Sequence, residues 1–87
     1  MITAVMITVK VGGANRQYDM ELPADIPVKD LLPQLLLSLR NIEDDVFLGV
    51  NRILMKTDAD DRYLTDEETL DSAGVWDGSI VTVERIA

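Results

Sequence analysis

The chain has 87 residues, a net charge of −8, and neither cysteine nor histidine. This length supports one domain with a single core, because a chain of this size buries only about 60–65% of its surface on folding. The lack of cysteine excludes disulfides, thiolate metal sites and iron–sulfur clusters, and the lack of histidine removes the usual general base. The acidic charge opposes binding to nucleic acid and to anionic lipid, so we expect a protein partner with a basic surface.

The first part of the chain alternates apolar and polar residues, as a half-buried strand does. Apolar residues from Val5 to Val11 share one face, and Gly12–Asn15 supplies positive-φ positions for a hairpin turn. A second, antiparallel strand is predicted from Arg16 to Leu22, and Pro23 ends it because proline has no N–H to donate. We see no secretion-signal pattern and no apolar run long enough to span a bilayer, so we expect a cytoplasmic protein without a membrane-inserted segment.

The hydrophobic period changes from two to helical after Pro27. It predicts an amphipathic helix from Val28 to Arg40, with Leu37 opposite the apolar stripe. The stripe comprises Val28, Leu31, Leu32, Leu35, Leu36 and Leu39. Pro33 conflicts with this helix because it removes one intrahelical hydrogen bond and disfavours helical geometry at the preceding residue. We therefore expect either a loose first turn or a kink.

Two stretches of strand-like composition follow the helix. Val46–Arg52, with the sequence VFLGVNR, is predicted as the third strand. Met55–Leu64 is predicted as two short edge strands separated by the acidic turn Asp58–Asp61. When this turn is laid on a calcium-binding EF-hand loop, the required glycine and the bidentate glutamate are both missing. We therefore expect a solvated turn, and no metal or other cofactor.

The rest of the chain predicts one short helical turn and a final strand. Thr65–Glu68 has the form of a capping box, and the helical turn over about residues 66–73 ends at Gly74. The carboxylates of Asp66–Glu68 are explained by their place near a helix N-terminus, where the helix dipole favours negative charge. No nucleophile accompanies them, so we expect no enzyme activity. The last strand is predicted from Ser79 to Arg85.

Together these elements predict an α+β fold of the ubiquitin-like β-grasp type, in one domain over residues 1–87. The first and last strands are expected as parallel neighbours at the centre of a mixed sheet of four to five strands. The main helix, at about residues 28–40, packs across one face of this sheet. The helical turn at about residues 66–73 is a smaller additional element.

Three stretches of the sequence resemble one protein family. They are YDMELPADIPVKDLLPQLLLSL from Tyr18 to Leu39, VNR at residues 50–52, and AGVWDGSIVTV from Ala73 to Val83. These passages resemble the EsaB/YukD family of ubiquitin-like proteins, over about residues 5–83. The resemblance implies a cytosolic component of bacterial type VII (WXG-type) secretion systems. It also implies a non-catalytic, accessory or regulatory protein-interaction module, whose partners are cytosolic domains of the membrane components at the inner face of the membrane.

Two features depart from the family pattern, and both bear on which partner is recognised. Pro33 lies in a helix that some members leave unbroken, and the Asp58–Arg62 loop is longer than its counterpart in ubiquitin. Two other functions remain open. A sulfur carrier or ubiquitin-like modifier needs a flexible tail ending in Gly-Gly, whereas Ile86 and Ala87 follow the last strand, so we expect no conjugation. A β-grasp adaptor domain unrelated to secretion is the second alternative.

Apolar residues expected at the surface form the candidate protein-binding site. They are Leu37, Leu48, Trp76 and Ile80. Alignment of VFLGVNR on the corresponding strand of ubiquitin places Phe47 inward and Leu48 outward. The neighbours of Leu48 on the last strand are then Thr82 and Glu84, which are polar, so the apolar patch that ubiquitin receptors recognise is mostly missing. Trp76 is expected to project outward, where an aromatic residue can anchor a partner.

Overall fold

The described part of the chain forms one mixed sheet with one helix across it. The computed structural model describes residues 3–13, 15–42 and 52–86. In chain order its elements are β1 (Ala4–Val11), β2 (Arg16–Pro23), α1 (Val28–Ile42), β3 (Ile53–Thr57), β4 (Arg62–Tyr63) and β5 (Ile80–Arg85). The sheet has five strands in the order β2-β1-β5-β3-β4. β1 and β5 are parallel and every other neighbouring pair is antiparallel, which confirms the predicted β-grasp arrangement.

One face of the sheet, here called the inner face, builds the hydrophobic core with α1. The alternation of apolar residues along each strand turns one set of side chains toward the helix. The whole predicted stripe of α1 is buried. It packs in one cluster with strand residues that include Val5, Ile7, Val9, Leu22, Met55, Val81 and Val83. The helical stripe predicted from the sequence is thus confirmed.

The helix α1 continues through Pro33 and ends at Ile42, beyond the predicted end at Arg40. The ring of Pro33 lies on the exposed side of the helix, away from the core. The first turn is held by partners outside the helix. The N–H of Val28 donates to the Glu68 carbonyl at 2.7 Å, and the N–H of Lys29 donates to the Asp66 carbonyl at 3.1 Å. These bonds satisfy amide groups that have no partner within a first helical turn.

The segment between β4 and β5 contains less helix than predicted. Its helical turn is confined to residues 69–73, where the N–H of Ala73 donates to the Thr69 carbonyl at 3.0 Å. Gly74 ends the turn with a φ of 77°, as predicted, because glycine adopts left-handed backbone geometry without steric cost. One of the two bonds of the predicted capping box is present, since the N–H of Thr65 donates to a carboxylate oxygen of Glu68 at 2.8 Å. The N–H of Glu68 donates to the Thr65 carbonyl at 3.2 Å, and not to the Thr65 hydroxyl.

The prediction for the strand beside the last strand is wrong. That position is taken by β3, Ile53–Thr57, and not by Val46–Arg52. Both edges of β5 are occupied, by β1 and by β3, so no further strand can pair there. Residues 46–51 lie outside the described residues, and Arg52 precedes β3 without belonging to a strand. Of the two strands expected in Met55–Leu64, only β4 is an edge strand.

The register of β3 shows why the alignment misled. Glu84 pairs with Leu54, and Thr82 pairs with Lys56, so neither is the neighbour predicted for Leu48. The runs VFLGVNR and ILMKT have the same strand-like composition, and composition does not decide which of them pairs with β5. The observed pairing with β5 decides it. In this register Met55 points into the core, and Leu54 lies on the opposite face of the sheet, here called the outer face.

Candidate functional site

The outer face of the sheet has a polar region over β3, β4 and the adjoining part of β5. The ammonium nitrogen of Lys10 lies 3.3 Å from a carboxylate oxygen of Asp58. The hydroxyl of Thr82 donates to the other oxygen of Asp58 at 2.7 Å. The hydroxyl of Tyr63 donates to Glu84 at 2.6 Å, and this bond raises the pKa of Tyr63 above its ordinary value. These bonds fix the polar region within the chain itself.

The acidic turn Asp58–Asp61 belongs to this polar region. Its last residue, Asp61, lies 3.2 Å from the ammonium nitrogen of Lys56, and hydrogen bonding to Asp61 raises the pKa of Lys56. Asp61 has a φ of 50°, a left-handed conformation that aspartate tolerates better than most residues. Within residues 3–13, 15–42 and 52–86, no group of three or more potential metal-ligating side chains is present. The turn therefore connects two strands and neutralises lysines of the same face.

At the other end of the outer face lies an apolar region. We call it the Trp76 surface and define it by Met6, Trp76 and Ile80. Trp76 is 63% exposed, Met6 50% and Ile80 41%. Met6 and Ile80 lie on adjacent parallel strands, because Ile80 pairs with Thr8, two residues along β1 from Met6. Their side chains are diagonal neighbours on the same face of the sheet.

Backbone hydrogen bonds hold the Trp76 surface in place. The N–H of Trp76 donates to the hydroxyl of Ser79 at 3.0 Å, and the N–H of Ser79 returns to the Trp76 carbonyl at 3.0 Å. This turn is joined to β1, because the N–H of Gly78 donates to the Met6 carbonyl at 2.9 Å and the N–H of Met6 donates to the Asp77 carboxylate at 2.8 Å. Gly78 has a φ of 87°, which favours glycine there. The exposed indole is therefore presented on an ordered turn.

Carboxylates surround the Trp76 surface. Trp76 and Asp77 line an open depression of about 520 Å³ together with Thr3, Ala4 and Val5. On β2, Glu21 pairs with Met6 and Asp19 pairs with Thr8, so both acidic side chains lie on the outer face next to the apolar region. An apolar centre with an acidic border fits a partner surface that carries apolar and basic side chains.

The predicted site residues fall in different places. Ile80 lies on the outer face beside β1, and Trp76 lies on the turn before β5 whose Gly78 N–H is bonded to the Met6 carbonyl. Leu37 is 64% exposed on the side of α1 that faces away from the sheet, so it lies on the opposite side of the molecule. Leu48 lies outside the described residues. Met6 was not predicted as a site residue, although the alternation of β1 indicates an apolar side chain at an outward position.

A second cluster of charged residues lies beside the start of α1 and has a structural role. A guanidinium nitrogen of Arg62 lies 2.9 Å from Glu68, whose carboxylate also accepts the backbone N–H of Thr65. Hydrogen bonds from Arg62 and Thr65 lower the pKa of Glu68 to about 2. At the neighbouring residue of the loop, a carboxylate oxygen of Glu67 lies 3.1 Å from the ammonium nitrogen of Lys29 on α1. These contacts join β4, the capping box and the helix.

Comparison with known proteins identifies the family. A family model described as "WXG100 protein secretion system (Wss), protein YukD" matches residues 6–83. The chain belongs to the YukD family. The family resemblance noted in the sequence is thereby confirmed. Comparison with curated proteins gives no match.

Solved structures give the same picture of the fold. The ubiquitin-like domain of the Mycobacterium tuberculosis type VII secretion system protein EccD1 is similar, with a TM-score of 0.77 and 23% identity over 95% of this chain and 99% of that chain. A chain of a MycP5-free ESX-5 inner membrane complex has a TM-score of 0.79 and 23% identity over 99% of this chain and 22% of that chain. Ubiquitin of Caldiarchaeum subterraneum has a TM-score of 0.65 and 19% identity over 97% of this chain and 95% of that chain.

These likenesses establish that this YukD-family chain has the ubiquitin-like fold. In the part of the chain that the structure describes, the only α-helix is α1, and it is neither long nor apolar enough to cross a membrane.

Proposed function

We propose that this YukD-family protein is a non-catalytic interaction module, an accessory or regulatory component of a type VII secretion system. Family membership supports the assignment to secretion. The observation that carries the interaction role is the Trp76 surface, where a 63% exposed tryptophan stands on a hydrogen-bonded turn beside Met6 and Ile80. A rigid aromatic residue buries a large area on binding at a low cost in conformational entropy, so such residues dominate binding hot spots.

The partner in this proposal is a cytosolic domain of a membrane component of the secretion machine. The acidic border of the Trp76 surface, with Asp19, Glu21 and Asp77, steers the protein toward a basic patch, and the apolar residues then anchor it. The protein works in the cytoplasm and reaches the inner face of the membrane through protein contacts. This location is supported by the match to a chain of the ESX-5 inner membrane complex, of which this chain spans 22%.

A non-catalytic role agrees with the chemistry of the charged residues. The carboxyl group of Glu68, with a pKa of about 2, is ionised at neutral pH and is not a useful proton donor. Asp58 and Asp61 are paired with Lys10 and Lys56. These contacts stabilise turns and strand pairs within the chain.

Export by a strain that lacks the protein tests this function. We expect deletion to impair export of the small helical WXG-type substrates, and the wild-type protein to restore it. Trp76→Ala should restore export poorly, whereas Leu37→Ala should restore it fully. Leu37 is a matched control because it is equally exposed, at 64% against 63%, but lies on the opposite side of the molecule. Unaltered export in the deletion strain would sink the proposal.

Affinity capture from native membranes tests the surface separately. The wild-type protein and Leu37→Ala should retain the same membrane component of the secretion machine, and Trp76→Ala should lose it. Thermal unfolding of each variant provides the control for folding. Equal retention by all three would mean that the partner binds elsewhere on the protein.

A further inference from the structure

We propose that β2 is a second binding element, whose free edge pairs with an extended segment of a partner in which basic and apolar residues alternate. β2 is the outermost strand at one side of the sheet and has eight residues, whereas β4 at the other side has two. The free edge of a strand presents a row of N–H and C=O groups that can pair with another strand. Among the described residues only β2 has an edge long enough for this pairing.

The register identifies the backbone groups at the free edge. The N–H of Ala24 donates to the Thr3 carbonyl at 2.9 Å, and the same register pairs Leu22 with Val5. Because antiparallel pairs alternate between hydrogen-bonded and non-bonded, every second residue of β2 is bonded to β1. These bonded residues are Arg16, Tyr18, Met20 and Leu22. The backbone groups of Gln17, Asp19 and Glu21 therefore point to the free edge.

Hydrogen bonds on the other side of β1 agree with this assignment. The N–H groups of Met6 and Thr8 are directed away from β2, to the Asp77 carboxylate and to the Ser79 carbonyl. The odd-numbered residues of β1 therefore direct their N–H and C=O groups toward β2. Their partners are the even-numbered residues of β2. Pro23 ends the edge because it has no N–H to offer.

Side chains on the two sides of β2 define the chemistry of the segment that fits. On the outer face, Asp19 and Glu21 present carboxylates, neither of which forms an ion pair within the described residues, although that of Asp19 accepts a hydrogen bond from the Thr8 hydroxyl at 2.7 Å. On the inner face, Tyr18 and Met20 pack against the core and are only partly buried. A strand paired with β2 alternates its side chains in the same way. Its outer residues meet two carboxylates, so they are basic, and its inner residues cover Tyr18 and Met20, so they are apolar.

A second copy of the same chain is the wrong occupant. Antiparallel pairing of two β2 strands about Asp19 would bring the Asp19 carboxylates of both copies opposite each other, and each copy carries a net charge of −8. Like charges that face each other across strands are destabilising. The same carboxylates that oppose self-association attract a basic segment, so the charge selects one occupant over the other.

Hydrogen exchange with a defined probe tests the proposal. The probe is a short capped peptide in which lysine and valine alternate, added to the full chain at low salt. We expect amide exchange at Gln17, Asp19 and Glu21 to slow by about tenfold or more, because their N–H groups gain partners. Exchange at Met20, which is already bonded to β1, should change little. A glutamate–valine peptide of the same length should have no effect. Unchanged exchange at Asp19 with bound lysine–valine peptide would overturn the proposal.

Three variants separate strand pairing from charge attraction. Gln17→Pro removes one N–H of the free edge without a change of charge, and Glu21→Lys reverses one flanking charge. We expect each to weaken binding of the lysine–valine peptide about tenfold. Asp60→Lys, an equal change of charge on an exposed residue of the distant acidic turn, should leave binding within about twofold.

The outcomes are decisive in either direction. Normal binding by Gln17→Pro, or equal weakening by Glu21→Lys and Asp60→Lys, would show general charge attraction and overturn the proposal. If the free protein dimerises and Gln17→Pro abolishes the dimer, a second copy occupies the edge. That result would also overturn the proposal. If Gln17→Pro does not fold, exchange at Asp19 in the wild-type chain decides. The edge shares Asp19 and Glu21 with the border of the Trp76 surface but does not include Trp76, so Trp76→Ala should bind the peptide normally.

Discussion

The inner and outer faces of the sheet are fixed by different forces, and two consecutive residues of β3 show the contrast. Met55 is completely buried against the helix, whereas Leu54 is 37% exposed on the outer face. The inner face is held by the burial of apolar side chains, which sets the fold. The outer face is held by ion pairs and hydrogen bonds over β3–β5, and leaves its apolar side chains at the Trp76 surface uncovered. A module of this design can change its binding surface without changing its core.

The largest expected effect comes from a change on the inner face. Met55→Ala should lower the free energy of unfolding by about 2–4 kcal/mol, because it removes a buried side chain and leaves a cavity. Leu54→Ala, the next residue on the opposite face, should lower it by less than about 1 kcal/mol. Urea denaturation of both variants measures the difference. Similar losses for the two variants would contradict the assignment of the faces.

A smaller effect is expected where the inner core meets the charged cluster. Glu68→Gln should lower the free energy of unfolding at neutral pH by about 1 kcal/mol, since the carboxylate is only partly screened from water. Its pKa is lowered from 4.5 to about 2, so its contribution is complete above pH 4.5 and is lost as the pH falls toward 2. Urea denaturation at a series of pH values measures this.

The same series supplies its own control. The difference between the wild-type protein and Glu68→Gln should be constant above about pH 5 and should shrink between pH 4.5 and 2. A difference that stays the same down to pH 2 would assign the effect to lost packing, and not to the charge of Glu68.

A change in the opposite direction is expected at β2. The hydroxyl oxygen of Tyr18 is buried and has no hydrogen-bond partner among the described residues. Tyr18→Phe removes this polar atom and keeps the ring, so the free energy of unfolding should stay equal or rise by up to about 1 kcal/mol. Thermal and urea denaturation of the wild-type protein and Tyr18→Phe measure this change in the free energy of unfolding. A loss of more than about 1 kcal/mol would mean that the hydroxyl has a stabilising partner.

The smallest effect on stability is expected on the outer face. Trp76→Ala should change the free energy of unfolding by less than about 0.5 kcal/mol, because the indole is 63% exposed, although the same change should abolish partner binding. Urea denaturation and affinity capture on the same sample make the comparison. A large loss of stability would indicate that Trp76 packs over its own turn and has a structural role.

Much of the fold follows from periodicity alone. The alternation of β1 and the stripe from Val28 to Leu39 predict a strand and a helix that share a core, and the structure confirms both. The third strand could not be predicted in this way, since Val46–Arg52 and Ile53–Thr57 have similar composition and only pairing with β5 distinguishes them. The predicted order of elements indicates the topology but not this register.

The candidate site could be predicted only in part. Trp76 and Ile80 are conspicuous in the sequence because they are apolar at expected outward positions. Their association with Met6 depends on the register of β1 and β5 and on the bond from Gly78 to the Met6 carbonyl, which join residues far apart in the chain. No local pattern carries that information. The free edge of β2 likewise becomes visible only when the order of strands is known.

Site-specific photo-crosslinking in cells can show whether a partner binds at Trp76. A photoreactive residue is placed at position 76 in one variant and at position 37 in another, both highly exposed and on opposite sides of the molecule. We expect a crosslink from position 76 to a membrane component of the secretion machine, and little or none from position 37. Equal crosslinking from the two positions, or crosslinking from position 37 alone, would contradict the claim that the outer face at Trp76 binds the partner.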